Sequence, residues 1–339
     1  MQTPFEAIAR TYIPAIEDEL KQAVSRADTP ESREMHRMLA YHLGWANEGA
    51  AAEAGGKRIR PLLVMLVCES AGGDWSKALP AAVAVELIHN FSLIHDDIQD
   101  NSPLRRGRPT LWKVWGIAQA INAGDAMFTL AQMALLDLQE NLPLKATLQA
   151  SRILQEACLH LTQGQYMDLS YEARGDLDLD AYWPMVTGKT AALLQACCEL
   201  GALAAEAPPD VRKSYRDFGR SLGLAFQAQD DLLGIWGDSD RTGKSIASDL
   251  VSGKKSLPVL YGLSLKGKFA ERWSRGPILP EEAPEVARQL ELEGARDYTQ
   301  SHAGSLTERA LQALEDARPQ GQAGDALRSL AFALLKREA

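Results

Sequence analysis

Apolar residues recur three and four positions apart along almost the whole chain, as in IARTYIPAIEDELKQAV, LQASRILQEACLHL and KTAALLQACCELGALAAEA. This spacing puts them on one face of an α-helix, whereas a half-buried strand needs strict alternation. Convincing alternating segments are missing, and stretches rich in Gly, Pro, Asp or Ser divide the pattern into about a dozen predicted helices. We therefore expect an all-α fold, with helices such as 191–207, apolar almost all round, enclosed by others.

The composition limits the organisation and the partners of this fold. With 339 residues and 46% hydrophobic content the chain can bury a large core, and because no repeat or long linker divides it, we expect one all-helical domain, 1–339. The net charge of -9 argues against nucleic-acid binding. No uncharged apolar run reaches about 18 residues and the N-terminus lacks signal-peptide features, so we expect no membrane span. Four cysteines without metal-ligand spacing favour a cytoplasmic setting.

Dense negative charge stands beside dense positive charge in SLIHDDIQDNSPLRRGRPTLW, residues 92–112. Asp96 and Asp100 are four residues apart and share a helix face, and the same stripe runs back to Ser92 and His89. Clustered carboxylates suit Mg²⁺, which takes one or two of them and completes its shell with water and phosphate oxygens. The alternative is a solvated acidic helix end.

A second apolar helix ends in paired aspartates more than a hundred residues later, in FQAQDDLLGIWGDSDRTGK. These are Asp230 and Asp231, and chance duplication of that context is improbable. Two acidic helix ends facing across a bundle would form a cage for several metal ions and a ligand with several phosphate oxygens. The carboxylate expected four residues after Asp230 is replaced by Gly234, and Asp238 lies eight residues on.

Basic residues cluster in five short segments of this acidic protein: GGKRIRP, LRRGRPT, GKT, TGK and GKKS. Guanidinium groups bind phosphate with paired donors, and lysines act as movable point charges. Each cluster alone is compatible with an ordinary solvated loop. Together with the acidic motifs they indicate two diphosphate sites, one formed through metal and one direct.

With these motifs in view, the chain resembles the trans-isoprenyl diphosphate synthases, or polyprenyl synthetases. GGKRIRP, LIHNFSLIHDDIQDNSPLRRGRPT, NAGD, GQYMDL, GKTAAL, FQAQDDLLG and TGKSIASDLVSGKKSLP occur in that family's order between Gly55 and Pro258. The resemblance implies an isoprenoid synthase type helical bundle around a deep central cavity, as a homodimer. It also implies the 1'-4 condensation of isopentenyl diphosphate with an allylic diphosphate (dimethylallyl, geranyl or farnesyl), through Mg²⁺-assisted ionisation to an allylic carbocation.

The resemblance also assigns roles to residues of this chain. It implies three Mg²⁺ ions per active site, coordinated by Asp96, Asp100 and Asp230. It implies that the allylic diphosphate is held by Arg105, Lys189 and Lys244, and isopentenyl diphosphate by Lys57, Arg60, His89 and Arg106. Lys189, Thr190 and Gln227 would be the catalytic group, in which Thr190 and Gln227 turn negative dipole ends toward the cation, and the departing diphosphate would take the proton.

The residues before the first aspartate pair bear on product length. In the family, bulky residues four and five positions before that pair help to form the floor of the chain-binding tunnel, and here those positions hold Ser92 and Phe91. One aromatic at the fifth position with a small residue at the fourth resembles the geranylgeranyl diphosphate synthases. Farnesyl diphosphate and longer products stay open, as does Phe91 as plain core.

Two other classes of protein share part of this pattern. A class I terpene cyclase needs the ionisation chemistry but has no use for the second diphosphate site implied by GGKRIRP and Arg106. A noncatalytic subunit that regulates a partner synthase is the other, and Gly234 lends it some support. For an active synthase, we expect Gly234 to weaken metal affinity, so that Gly234→Asp lowers the Mg²⁺ concentration needed for half-maximal rate.

Overall fold

The computed structural model describes residues 4–45, 56, 58–237 and 247–335, and it consists almost entirely of helices. The first α-helices are α1 Pro4–Ser25, α2 Arg33–His42, α3 Ile59–Ser70, α4 Leu79–Gln99, α5 Leu111–Trp115, α6 Ile117–Leu136, α7 Leu144–Glu172 and α8 Tyr182–Val186. They are followed by α9 Ala192–Ala204, α10 Pro209–Trp236, α11 Ser248–Val251, α12 Leu257–Ser264, α13 Lys268–Trp273, α14 Ala283–Leu292, α15 Ala295–Asp316 and α16 Gly321–Leu335. The expected all-α fold is confirmed.

The strands among the described residues form one two-stranded hairpin after α4. β1 (Leu104–Arg105) pairs antiparallel with β2 (Arg108–Pro109), and Arg105 is opposite Arg108. The two turn residues, Arg106 and Gly107, have φ values of 51° and 72°, as a type I′ turn requires. The hairpin therefore reverses the chain sharply and returns its arginines toward the end of α4.

The chain divides into two compact units, each discontinuous in sequence. One unit comprises Met1–Gln155, Ala196–Lys213 and Ala317–Leu327, and the other comprises Glu156–Gln195, Ser214–Asp316 and Arg328–Ala339. We refer to them as the first and second unit. The expectation of a single domain stays a prediction.

The core of the first unit contains α3 and α4. Residues 61–68 of α3 are all buried, and so are residues 80–88 of α4. Only one segment of the described chain, Trp75–Gln99, is long and apolar enough to cross a membrane, and 72% of its most apolar window is buried inside the structure, as in the core helix of a globular fold. Its apolar character is thus accounted for by internal contacts.

The core of the second unit draws on the C-terminal half of the chain. Ile235, Leu250, Val259, Phe269 and Leu290 belong to one buried cluster with neighbours from α10 to α15. The helices after Pro258, which carry no distinctive motif, therefore support the end of α10. That end carries the second aspartate pair.

Candidate active site

The first aspartate cluster lies at the C-terminal end of α4. A helix C-terminus carries partial negative charge, so carboxylates there are unfavourable without a cation. Asp97 is 2% exposed and accepts hydrogen bonds from Arg105, at 2.9 and 3.0 Å from Nε and 2.9 Å from Nη2. Burial raises the pKa of Asp97, and Arg105 opposes that shift. Asp97 thus fixes Arg105, while Asp96 and the exposed Asp100 stand at the helix end itself.

An arginine-lined cavity of about 30 Å³ opens beside this helix end. It is lined by residues from α2, α4 and the hairpin, chiefly Arg105, Arg106, Arg108, His42 and Asn90. Burial first, and then repulsion from the arginines, lowers the pKa of His42 to about 3, so the ring is neutral near pH 7. Such a concentration of guanidinium groups favours negative charge beside this helix end.

The side chains of Arg60 and His89 meet in the first unit. Arg60 Nη1 lies 3.1 Å from His89 Nε2. Burial, followed by the charge of Arg60, lowers the pKa of His89 well below its ordinary value, so its ring nitrogen accepts from the guanidinium. The Arg60 Nε atom is buried and has no hydrogen-bond partner in the described part of the chain. Arg60 is therefore a desolvated cation available to an anion.

The glycine-rich loop before α3 is anchored by Arg58. This residue has a left-handed backbone (φ 47°), is 4% exposed, and donates from Nε to Glu17 at 2.7 Å and from Nη1 to Glu86 at 2.8 Å. Gly56 has φ 82°, and a Cβ there would lie 2.7 Å from the Arg106 guanidinium. Arg58 is thus structural, and Gly56 lets Arg106 reach the loop backbone.

In the second unit, a π-helical turn presents Lys189 and Thr190. The turn spans Thr187–Ala191, and π-turns inside α-helices are often functional. A Cβ on Gly164 of α7 would lie 2.6 Å from the carbonyl carbon of Gly188, so the backbones of α7 and the turn touch. One helical turn beyond Gly164, Asp168 forms an ion pair with Lys189. The small residues in GQYMD and GKT therefore bring these two charges together.

A stripe on α10 continues the site. Gly223 allows close contact, because a Cβ there would lie 2.6 Å from Ala191 Cα. Four residues on, Gln227 Oε1 accepts a hydrogen bond from Thr190 Oγ1 at 2.7 Å, and Gln227 Nε2 donates to Asp231 at 2.9 Å. These bonds fix the amide so that its oxygen lies beside the Thr190 hydroxyl. The predicted catalytic residues Lys189, Thr190 and Gln227 are thus neighbours.

Asp231 accepts several hydrogen bonds from the protein, so its oxygens are used internally and not for a metal ion. It is 1% exposed and accepts from Tyr182 OH at 2.8 Å and from the Leu257 amide at 2.9 Å, in addition to Gln227. Lys254 Nζ lies 3.7 Å from Asp231 Oδ1. Burial alone lowers the pKa of Lys254, but Asp231 and then Asp249 outweigh it and raise that pKa above its ordinary value.

These residues surround a cavity of about 200 Å³. Its lining includes both acidic and basic side chains: Asp168, Asp230, Asp231, Lys189 and Lys254, together with Thr190 and Gln227. Asp168 and Asp231 have lysine partners, whereas no lysine or arginine among the described residues is paired with Asp230. Asp230 is therefore the carboxylate of this group that is available to a divalent cation.

The donor set fits Mg²⁺ held partly by a ligand. In the described ranges, no group of three or more His, Cys, Asp or Glu side chains is arranged to hold an ion by protein atoms alone. Mg²⁺ is usually bound by one or two carboxylates plus substrate phosphates, so the predicted ligands Asp96, Asp100 and Asp230 match its chemistry. The first two lie in the first unit and Asp230 in the second.

The structure revises the expectation for Gly234. A Cβ on this residue would overlap the carboxylate of Asp249, so the space left by the missing side chain is filled. Gly234→Asp would displace Asp249 instead of adding a carboxylate to open space. The expected gain in Mg²⁺ affinity therefore has no structural basis.

The predicted product-length residues lie near the middle of α4. Ser92 is 8% exposed, and its hydroxyl donates to the His89 carbonyl at 2.8 Å. The Phe91 ring packs against Phe128 of α6, with centroids 5.4 Å apart, and against His95 at 4.9 Å. Phe91 thus contacts a second aromatic residue on the neighbouring helix.

Several residues of the candidate site were not predicted from the sequence, and some predicted residues lie outside the part of the chain that the structure describes. Asp168, Asp249 and His42 were not singled out, and Lys254 was noted only as part of GKKS. GQYMDL contained the signal for Asp168, but its pairing with Lys189 depends on helix contacts. The predicted ligands Lys57 and Lys244, and Asp238, lie outside the described residues.

Comparison with known proteins agrees with this geometry. A family profile described as polyprenyl synthetase matches residues 49–275. The chain is 42% identical over 294 residues to a (2E,6E)-farnesyl diphosphate synthase of Mycobacterium bovis (84% of this chain, 80% of the relative). It is 39% identical to a geranylgeranyl diphosphate synthase of Mycobacterium tuberculosis (83% and 81%).

A solved structure gives the same result for the fold. The polyprenyl synthetase from Streptomyces coelicolor A3(2) superposes with a TM-score of 0.86 at 38% identity, over 97% of this chain and 98% of that one. The family profile covers well over half of the sequence, and the paired carboxylates and basic loops occupy defined places in the fold. The chain therefore belongs to the polyprenyl synthetase family, the trans-isoprenyl diphosphate synthases, and is a prenyltransferase.

Proposed function

We propose that this prenyltransferase condenses isopentenyl diphosphate with an allylic diphosphate, 1' to 4, and releases geranylgeranyl diphosphate. The observation that carries the proposal is the presence of two separate sets of cations, the desolvated Arg60 with Arg106 in the first unit and Lys189 with Lys254 around the cavity of the second. A condensing enzyme must hold two diphosphates at once. Synthases of this family extend prenyl chains.

Isopentenyl diphosphate would bind in the first unit. Arg60 and Arg106 offer guanidinium donors to its diphosphate, and neutral His89, which accepts from Arg60 through Nε2, adds its second ring nitrogen. Lys57, outside the described residues, completes the set by resemblance. Since guanidinium and phosphate pair through parallel hydrogen bonds, this site would also fix the orientation of the attacking double bond.

The allylic diphosphate would be held by Lys189 and Lys254, which line the cavity of the second unit. The resemblance adds Arg105, and Lys244 from outside the described residues. Arg105 uses Nε and Nη2 for Asp97, and a guanidinium has five N–H donors, so others remain for phosphate. Lys189 likewise keeps two ammonium hydrogens beyond its pair with Asp168. Fixed cations stabilise the charge that develops on the leaving diphosphate without reorganising during the step.

Polyprenyl synthases depend on Mg²⁺, and we propose three ions per active site. By resemblance, Asp96, Asp100 and Asp230 are the residues that would hold them. Bound Mg²⁺ would neutralise diphosphate oxygens and make the diphosphate a better leaving group.

Thr190 and Gln227 would stabilise the allylic cation. Gln227 Oε1 is held in place by the hydrogen bonds to Thr190 and Asp231, and it carries a second lone pair. The departing diphosphate, retained by the lysines, would accept the proton that leaves the condensed product. The proton lost from the condensed product would then leave with the diphosphate released from the allylic substrate.

The assignment of geranylgeranyl diphosphate rests on Phe91 and Ser92. One bulky residue before the aspartate pair would leave a longer tunnel than two, and the Phe91 ring is supported by Phe128. Farnesyl diphosphate is the second candidate, favoured by the 42% identity to a farnesyl diphosphate synthase.

We further propose a cytoplasmic homodimer. Cys68, Cys158, Cys197 and Cys198 are all free and buried, as fits a reducing compartment. Among the described residues, fourteen large apolar side chains are exposed, and eight of them lie on α6 and α7. This concentration supports a partner surface for a second copy of the chain.

The test is condensation by the purified protein. Radiolabelled isopentenyl diphosphate would be incubated with dimethylallyl, geranyl or farnesyl diphosphate and Mg²⁺, and the products sized by chromatography. We expect label in a C20 product from every primer and no turnover with EDTA. No incorporation from any primer would contradict the proposal, and a hydrocarbon from allylic diphosphate alone would identify a cyclase.

A further inference from the structure

The space beside Gly234, where the second acidic motif lacks its third carboxylate, is occupied by another side chain. Gly234 lies in α10 four residues after Asp230, and it is buried. A Cβ built on Gly234 would overlap the carboxylate of Asp249, which comes from the short helix α11. Any side chain at position 234 would therefore have to push Asp249 away.

Asp249 is close to a cation of the proposed diphosphate site. Its Oδ2 atom lies 3.6 Å from Lys254 Nζ, and its carbonyl accepts the Lys254 amide at 3.0 Å. Asp231 Oδ1 lies 3.7 Å from the same ammonium. The Lys254 side chain is 34% exposed and lines the cavity of about 200 Å³. Two buried carboxylates thus bracket a lysine whose ammonium faces the cavity.

Lysine needs such support to act as a fixed charge. Its four-carbon stem is flexible, and a free ammonium samples many positions. A charge that is held where the leaving group develops its own charge is more effective than one that must reorganise. Asp231 is also occupied by Tyr182, Gln227 and the Leu257 amide, so the second carboxylate adds a restraint that Asp231 alone does not supply.

We propose that Asp249 is a positioning residue that holds Lys254 against the diphosphate of the allylic substrate, and that Gly234 is the residue that makes room for it. The carboxylate absent from the second acidic motif is supplied from α11 and acts through a lysine. This inference rests on the proposed condensation activity, and it explains why glycine at position 234 is compatible with an active enzyme.

The test is a double-mutant cycle with Gly234→Ala and Asp249→Ala. Each single variant is expected to raise KM for farnesyl diphosphate about tenfold, the equivalent of one lost charge interaction, and to leave KM for isopentenyl diphosphate within about twofold. Because Gly234→Ala acts only by displacing Asp249, it should add less than about twofold in the Asp249→Ala background. Equal effects on both KM values, or effects that multiply in the double variant, would overturn the proposal.

Controls separate positioning from folding and from the activity itself. Gly304→Ala in α15 introduces the same methyl group where nothing lies within 4 Å, and it should leave both KM values unchanged. Asp249→Asn keeps the shape of the side chain but removes its charge, so it should reproduce the KM effect if Gly234→Ala fails to fold. A wild-type KM for farnesyl diphosphate in Asp249→Asn would refute the role of Asp249. Absence of condensation by the wild-type protein would instead refute the proposed function.

A measurement that does not depend on turnover gives a second readout. Binding of inorganic diphosphate by calorimetry should weaken about tenfold in Asp249→Asn. Unchanged diphosphate affinity would contradict the proposal. Gly234→Asp distinguishes this inference from the metal hypothesis, because it should raise KM for farnesyl diphosphate, whereas a true third metal ligand would lower the Mg²⁺ requirement.

Discussion

Asp230 and Asp231 are neighbours in α10 but have opposite environments. Asp231 is buried and accepts three hydrogen bonds, from the Tyr182 hydroxyl, the Leu257 amide and the Gln227 amide. Asp230 lines the cavity and has no basic partner in the described part of the second unit. A carboxylate whose lone pairs are used internally stabilises the fold, whereas one that faces a cavity can bind a ligand.

Alanine at these two positions should therefore have different effects. Asp231→Ala leaves buried donors without acceptors and Lys254 without one carboxylate, so the free energy of unfolding should fall by about 3 kcal/mol. Asp230→Ala should leave that free energy within about 0.5 kcal/mol but lower kcat at least about a hundredfold. Denaturant unfolding and steady-state kinetics measure both quantities. Equal loss of stability in the two variants would contradict the assignment.

Histidines held neutral among arginines make stability depend on pH. Burial and nearby arginines lower the pKa of His42 to about 3, and burial and Arg60 lower that of His89 in the same direction. The unfolded chain binds these protons near pH 6.5 while the folded chain does not, so stability is present above that pH and falls as pH is lowered below it.

For His42 the slope should be about 1.4 kcal/mol per pH unit between roughly pH 6 and the folded pKa. Unfolding free energies measured from pH 7.5 to 5 should show this loss. His42→Gln should reduce the slope of the unfolding free energy against pH by about 1.4 kcal/mol per pH unit, the contribution of one proton. An identical slope in His42→Gln would show that the imidazole titrates normally in the folded protein.

At the scale of elements, glycines decide which side chains meet. Gly164 and Gly188 let α7 touch the π-turn, and Gly223 lets α10 approach Ala191. Each contact is followed one turn later by a side chain of the candidate site, Asp168 on α7 and Gln227 on α10. The sequence pattern predicted the helices, and Gly164 and Gly188 lie in motifs that carry the family resemblance. The close approach of the helix backbones, however, depends on tertiary contacts that the spacing of apolar residues does not reveal.

The same limit explains what sequence reasoning did and did not predict at the site. Spacing correctly placed Asp96 and Asp100 at one helix end, because both residues belong to one element. Only the resemblance separated Lys57 and Arg60 from Arg58; spacing alone could not, because the ion pairs of Arg58 are made with Glu17 of α1 and Glu86 of α4. Sequence reasoning expected Gly234 to weaken metal affinity, and it did not foresee that the Asp249 carboxylate, fifteen residues away in sequence, fills the space beside Gly234.

The contact between α4 and α6 gives a prediction for product length. Phe91 and Phe128 pack with ring centroids 5.4 Å apart, so removing the Phe91 ring opens space on the α6 side. Phe91→Ala should shift the main product by at least one isoprene unit beyond wild type. Chromatographic sizing of products measures this, with melting temperature as the folding control. An unchanged product spectrum in a folded variant would remove Phe91 from the tunnel floor.

At the scale of the whole molecule, exposed apolar side chains are concentrated on two consecutive helices. Ile117 and Ile121 of α6, and Leu144 and Leu148 of α7, are between 42% and 66% exposed and are spaced four residues apart in each pair. That spacing places each pair on one helix face. Large apolar faces left in water favour association, and a second copy of the chain would cover them.

A charge on this face should therefore shift the oligomeric state. Leu148→Glu would bury a carboxylate in the proposed dimer contact, so the variant should be mainly monomeric at micromolar concentration, as measured by light scattering after gel filtration. Leu292→Glu, at a residue of α14 that is 68% exposed in the second unit, is the matched control and should stay dimeric. A dimeric Leu148→Glu, or a monomeric wild type, would contradict the prediction.

The anchoring of Arg58 has a consequence for the start of the chain. Its guanidinium forms an ion pair with Glu17 of α1, a helix that carries none of the residues proposed to bind substrate. Removing that helix would leave the buried Arg58 guanidinium with Glu86 as its one remaining carboxylate of the two. The position of the neighbouring Arg60 would then be less well fixed. Shortened versions made for crystallisation or fusion should accordingly bind isopentenyl diphosphate poorly even when every motif residue is retained.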